Sequence, residues 1–82
     1  MLLDRFDPHS VVIGRKQTLR AVRAGEAKEV FLASDAAPVL RAEIESACRE
    51  KRVSLHFVDS MIQLGHAVGI EVGASACAVI RT

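Results

Sequence analysis

Residues Lys28 to Ser34 read KEVFLAS, and Val30 to Ala33 within them are apolar at four consecutive positions. A strand that buries one face alternates apolar with polar side chains, whereas a strand covered on both faces is apolar throughout. The run is too short for a buried helix, and the segment SDAAP closes it with turn-forming residues. It therefore demands a sheet with a layer of structure on each side. Three other segments have the same character: VVI at Val11 to Ile13, VSLHFV at Val53 to Val58, and ASACAVI at Ala74 to Ile80.

The stretches between them change to a helical period. Gly14 ends the first strand close to the next element, and the pattern from Lys16 to Ala24 is helical until Gly25 stops it. Ser34 or Asp35 can cap a second helix whose first turn accepts Pro38 and which runs to about Lys51. DSMIQLGHAVG reads as a third, capped helix ending at Gly69. The order βαβαβαβ predicts an α/β fold, a three-layer α/β/α sandwich forming a single domain over residues 1–82. The leader LLDRFDP adds a short helix along one sheet edge, kept brief by Pro8.

A chain of 82 residues buries only about 60% of its unfolded surface and needs an efficient core. Half of its residues are hydrophobic, which meets that need. There is no Trp or Tyr, so a row of stacking aromatics for single-stranded nucleic acid is excluded. MLLDRFDPHS has neither the apolar run nor the cleavage site of a signal peptide, and no run approaches the roughly 18 apolar residues of a membrane span. The expectation is a soluble cytoplasmic protein without a membrane partner. Cys48 and Cys77 belong to no C-x-x-C or Cys/His cluster and read as buried free thiols. His9, His56 and His66 show no metal spacing, so no metal and no cofactor are expected.

Charge is distributed less evenly than hydrophobicity. IGRKQTLRAVRAG, Ile13 to Gly25, contains Arg15, Lys16, Arg20 and Arg23 and no carboxylate. The chain carries 11 Lys+Arg against 10 Asp+Glu, so without those four the balance is 7 against 10. At about 100 degrees per residue, Lys16, Arg20 and Arg23 share one face of the helix while Leu19 and Val22 face a core. Ordinary surface helices mix signs, as RAEIESACREKR does here, because opposite charges three or four residues apart support the helix. An unmixed stripe beside unpaired N–H groups at a helix start suits a polyanion, and Lys16, Gln17 and Arg20 carry donors suited to guanine edges. A plain solvated face is the competing reading.

LGHAVGIEVG places Ile70, Glu71 and Val72 between Gly69 and Gly73. Either Ile70 and Val72 begin the last strand and pack inward, or they form an apolar ledge for an unstacked base.

GRKQTLRAVRAGEAKEVFLASDAAPVL together with FVDSMIQLGHAVGIEVGASACAVI resembles the ribosomal protein family called L-seven-Ae/L-thirty-e, in its short bacterial YbxF-like branch. The resemblance runs from Val12 to Ile80 and rests on G-x-K-Q-T, A-x-D-x-x-P and L-G-x-A-x-G-I-E-V. It implies a four-stranded mixed sheet between helices. It also implies a non-catalytic RNA-binding protein that recognises kink-turn RNA, a bent duplex with tandem sheared G·A pairs and a flipped bulge nucleotide, in ribosomal RNA or a messenger leader. By the family pattern Gly14, Lys16, Gln17 and Arg20 open the helix at the G·A pairs, with Arg15 and Arg20 on phosphate or guanine. Ile70, Glu71 and Val72 match the loop over the bulge. Archaeal members have Asn, Glu and Lys where this chain has Lys16, Gln17 and Arg20, so the guanine hydrogen bonds must differ. Met61 replaces a common Lys and Val68 a common Cys.

Two rival classes remain. Asp35 follows a strand at its carboxyl end, where open α/β sheets place functional groups, so an enzyme or phosphoacceptor built on Asp35 is one. However, Pro38 beyond it favours helix capping, and no P-loop, G-x-G-x-x-G or catalytic triad accompanies it. A protein-interaction module anchored by Ile70 and Val72 is the other.

Overall fold

The computed structural model of the chain describes residues 10–80. Strands β1 (Val11–Ile13), β2 (Ala27–Ala33), β3 (Ser54–Val58) and β4 (Ala76–Ile80) alternate with helices α1 (Arg15–Arg23), α2 (Pro38–Lys51) and α3 (Met61–Ala67). The strands form one sheet in the order β1-β4-β2-β3. β4 runs antiparallel to both β1 and β2, and β3 runs parallel to β2, so the sheet is mixed as the resemblance implied. The helix expected over LLDRFDP lies outside the described residues.

The continuous apolar runs are explained by two cores, one on each face of the sheet. Val30 and Leu32 of β2 and Ala76 and Ala78 of β4 pack with Leu19 and Val22 of α1 and Ile44, Ala47 and Cys48 of α2. The intervening Phe31, Ala33, Cys77 and Val79 pack with Leu64 of α3. Successive strand residues point to opposite faces, so a sheet covered twice needs apolar residues at every position. Burying each large side chain stabilises the fold by about 1.5–3 kcal/mol. Alanine on the α1 side of β4 keeps that helix close to the sheet. A register shift between Ala27 and Glu29 restores the alternation after the exposed Lys28.

Two sequence expectations are corrected. β4 begins at Ala76 rather than Ala74, because the Ala74 N–H is taken by the Met61 carbonyl of α3 at 2.9 Å instead of by a neighbouring strand. Neither Ser34 nor Asp35 caps α2, whose N-cap is Ala37 without a side-chain hydrogen bond. Pro38 does occupy the first turn, where its missing N–H costs nothing. The Asp35 carboxylate instead accepts from the Met61 N–H at 2.8 Å, and Ser60 accepts from Gln63 N–H, so both cap α3.

Thr18 is fully buried on α1 and its hydroxyl has no hydrogen-bond partner among the described residues. An unpaired buried polar group costs about 1–3 kcal/mol. Thr18→Val keeps the shape and removes the hydroxyl, so it is expected to raise stability by about 1 kcal/mol. Thermal unfolding checks this as a rise of roughly 4–8 °C for a domain of this size.

Both thiols are free and buried. Burial pushes Cys48 up to about 11 and Cys77 up to about 12. The folded state therefore favours the protonated thiols: their stability is intact below the ordinary thiol range and lost as pH rises through it toward 11 and 12. A disulfide-exchange reagent at pH 8 is expected to label neither thiol until denaturant unfolds the chain, and melting temperature should decline above about pH 9. Rapid labelling of native protein would contradict the placement of these side chains.

Candidate nucleic-acid interface

The sheet register determines which functional side chains meet. β1, β2 and β3 all end at the edge where β4 begins: Ile13 pairs with Cys77, the Ala33 N–H donates to the Ser75 carbonyl at 2.9 Å, and the Ser34 N–H to Val58 at 2.8 Å. Each helix starts directly after one of these strands, so α1, α2 and α3 all begin at this edge. Their positive dipole ends are gathered there, and α1, which no side chain caps, adds unpaired N–H groups. The segment 68–75, which leads into β4, arrives at the same edge.

Gly14 makes the junction. Its N–H donates to Ala76 at 2.8 Å, its carbonyl accepts from Thr18 at 2.9 Å, and it turns the chain from β1 into α1 with φ of 103°. That φ lies in a region which side chains with a Cβ rarely adopt, so glycine is required. No side chain caps α1 and no acid lies in its first turn. Arg15, Lys16, Gln17, Arg20 and Arg23 are all exposed, while Thr18, Leu19, Ala21 and Val22 are buried. The stripe inferred from helical period is thus one solvent-facing side of α1. Arg15, Lys16, Leu19, Arg20 and Arg23 of α1, Ala24 just beyond it and Glu43 of α2 line a shallow groove of about 640 Å³.

The second group, Ile70 to Val72, lies in the loop ahead of β4 and not in the strand. Its two apolar residues differ. Ile70 is half-buried and packs against the α3-side core, whereas Val72 is 70% exposed. Glu71 is exposed between them. The strand reading is therefore wrong for both, and the inward-packing reading holds for Ile70 alone.

The loop is fastened to α3 by backbone groups. Ile70 N–H donates to the Gly65 carbonyl and Ala74 N–H to the Met61 carbonyl, each at 2.9 Å. Gly65 is buried with the Val72 carbonyl oxygen where its Cβ would stand, and any Cβ would also lie 3.1 Å from the Val72 carbonyl carbon and 3.2 Å from Gly73 Cα. Sequence reasoning passed over Gly65. Its signal was a glycine inside a helical pattern, which costs about 1 kcal/mol against alanine and so usually has a packing cause.

Glu43 was also passed over as part of a mixed-sign helix face. Its carboxylate receives Arg15 Nε at 2.7 Å and Arg15 Nη2 at 3.0 Å, a two-pronged pair joining α1 to α2. The hydrogen bond from Arg15 holds the Glu43 carboxyl below the usual carboxylate range, with Arg23 adding to the effect, and Glu43 raises Arg15 in turn.

Asp35 spends a carboxylate oxygen on the α3 cap, 2.8 Å from the Met61 N–H, which is a structural use. His56 meets Glu29 at 3.0 Å and stacks on Phe31, His66 is exposed on α3, and His9 lies outside the described residues. Among the described residues no group of three or more His, Cys, Asp or Glu gathers as a metal site, and no helix is long and apolar enough to cross a membrane.

The model of the ribosomal protein L7Ae/L30e/S12e/Gadd45 family matches residues 4–82. A Bacillus pumilus protein named RNA-binding protein is 46% identical over 71 residues, 87% of each chain. The RNA-binding protein YbxF of Geobacillus stearothermophilus is also 46% identical over 71 residues, again 87% of each. The large ribosomal subunit protein eL8 of Halobacterium salinarum is 36% identical over 75 residues, which are 90% of this chain and 62% of that one. Among solved structures, the Giardia lamblia 15.5kD RNA binding protein superposes with a TM-score of 0.80 at 28% identity, covering 90% of this chain and 62% of its own. With the family model spanning nearly every residue and relatives this similar along most of their length, the chain belongs to the ribosomal protein L7Ae/L30e/S12e/Gadd45 family.

Proposed function

We propose that the chain is a non-catalytic, cytoplasmic RNA-binding protein, a single domain over residues 1–82 that recognises kink-turn RNA. Gly14, Arg15, Lys16, Gln17 and Arg20 meet the sheared G·A pairs and the adjoining phosphates. Ile70, Glu71 and Val72 cover the flipped bulge nucleotide. The observation that carries this reading is the Gly14–Ala76 hydrogen bond, which brings the start of the basic helix to the base of the Ile70–Val72 loop. One surface thereby offers cations and hydrogen-bond donors beside an exposed apolar side chain, as a bent duplex with an unstacked base requires. The names of the relatives support RNA as the partner. Ribosomal RNA and a messenger leader are both suitable carriers of such a motif.

An electrophoretic shift with a kink-turn RNA, beside a duplex of equal length without the G·A pairs, tests the reading. The kink-turn is expected to shift at far lower protein concentration. Hydrolysis of a nucleotide, or phosphate transfer to Asp35, with indifference to both RNAs would overturn it. Affinity is also expected to fall with ionic strength at a log-log slope of roughly minus 2 to minus 4, for about three to five phosphate contacts. A flat response across a salt titration would remove the electrostatic half of the interface.

A further inference from the structure

The Arg15–Glu43 pair stands out from the rest of the basic face. Lys16, Arg20 and Arg23 hold no hydrogen bond or ion pair to a side chain among the described residues, whereas Arg15 is held by two. A guanidinium has five N–H donors in a rigid plane. Glu43 takes the edge formed by Nε and one hydrogen of Nη2. The end edge, formed by one hydrogen of Nη1 and the second of Nη2, has no side-chain partner among the described residues, and the Arg15 side chain is 47% exposed.

The pairing changes what Arg15 does. A free arginine swings on a flexible stem and attracts any phosphate. One fixed by a carboxylate has its charge largely cancelled and its plane oriented, so it contributes little general attraction and presents two parallel N–H groups at a set angle. That suits the O6 and N7 acceptors of guanine, which a guanidinium meets with two parallel bonds. A sheared G·A pair bonds through the sugar edge of guanine and leaves O6 and N7 free to receive it.

We propose that Glu43 is a specificity-determining positioning residue: it holds Arg15 so that the outer edge of the guanidinium reads a guanine O6/N7 edge, and it withholds Arg15 from unspecific phosphate contact. This rests on the kink-turn reading above. Glu43 itself touches no RNA and acts through Arg15. Both side chains are at the surface, where an ion pair adds little to folding, so its effect belongs in recognition.

The test measures binding of the full chain and of Glu43→Ala, Glu43→Gln and Arg15→Ala to the kink-turn RNA and to the plain duplex, over a salt series. Glu43→Ala is expected to weaken the kink-turn roughly five-fold or more, the loss of a well-placed base contact. It should strengthen the duplex and steepen the duplex salt slope by about 1, as one more cation becomes available. Glu43→Gln, which retains one acceptor without the charge, should fall between. Arg15→Ala should weaken the kink-turn without the gain on duplex, and Arg15→Ala with Glu43→Ala should cost no more than Arg15→Ala alone. Melting temperatures should stay within about 2 °C of each other, which a merely structural role would not allow. If Glu43→Ala raises affinity for both RNAs by one factor, or changes neither, Glu43 is a bystander and the assignment falls. If the unaltered chain does not separate kink-turn from duplex, the kink-turn reading falls first and this proposal with it.

Discussion

Gly65→Ala is expected to lower the melting temperature by about 10 °C and to abolish discrimination between RNAs with and without the bulge. On helix propensity alone the change should stabilise α3 by about 1 kcal/mol, since alanine is the better helix former. The position of the loop reverses the sign. The new methyl would occupy the place of the Val72 carbonyl oxygen and crowd Gly73 Cα, and both are backbone atoms that no rotamer change can move. Overpacking of this kind costs about 1–3 kcal/mol, and sometimes more. The strain is relieved by lifting the loop off α3, which breaks the Ile70–Gly65 and Ala74–Met61 hydrogen bonds and withdraws Ile70 from its core. The basic helix is untouched, so binding to plain duplex and its salt slope should remain. Val72→Ala is the matched control: its side chain is 70% exposed, so melting temperature should hold while affinity for the bulged RNA drops. A Gly65→Ala protein that melts higher than the parent would mean that the loop does not rest on α3.

Lys16→Ala and Gln17→Ala should each cost roughly 1–3 kcal/mol against kink-turn RNA, a loss of about 5- to 150-fold, with a much smaller loss on plain duplex. Both side chains are exposed in the first turn of α1, where neither packs into the core. Their expected contribution is donors and acceptors for guanine edges, available only where the G·A pairs present them. Gln17 is the sharper case because it is uncharged: removing it cannot alter general attraction to phosphate. Arg23 is the opposite case, and its loss should weaken both RNAs alike. Equal losses for Lys16→Ala on the two RNAs would reduce that residue to a charge. Circular dichroism of each variant guards against unwinding of the first turn.

Local pattern was enough wherever a residue's partner lies nearby in the chain or is simply the interior. Val30 to Ala33 reported two-sided burial, Leu19 and Val22 reported the inner side of α1, and Pro38 reported a helix start. Pattern misled at Asp35. D-x-x-P resembles a local cap, but the carboxylate reaches Met61, 26 residues ahead, because β2 and β3 end side by side and deliver both to one edge. Glu43 and Arg15 lie 28 residues apart and meet only because α1 and α2 share a face of the sheet. Ile70 and Val72 have similar side chains and opposite exposures, decided by how the loop seats on Gly65. The strand order was equally hidden, since nothing local requires β4 to enter between β1 and β2.

The central position of β4 has a consequence for how the molecule is made. β1 and β2 do not touch each other in the sheet; both wait for residues 76–80, and Val11 pairs with Val79 across nearly the whole described chain. Pairings so distant in sequence form slowly, because closing the long loop is disfavoured until the contacts that compensate for it exist. During synthesis the basic helix can coil early and the loop can seat on α3, yet the Gly14–Ala76 hydrogen bond that brings the two to one edge cannot form until β4 slides into the gap. On the proposed function, a nascent chain that stops before Ala76 would thus have the basic helix and the bulge-covering loop but not the contact that sets them side by side. The proposed two-part surface would be assembled with the last strand, in the same step that closes the sheet.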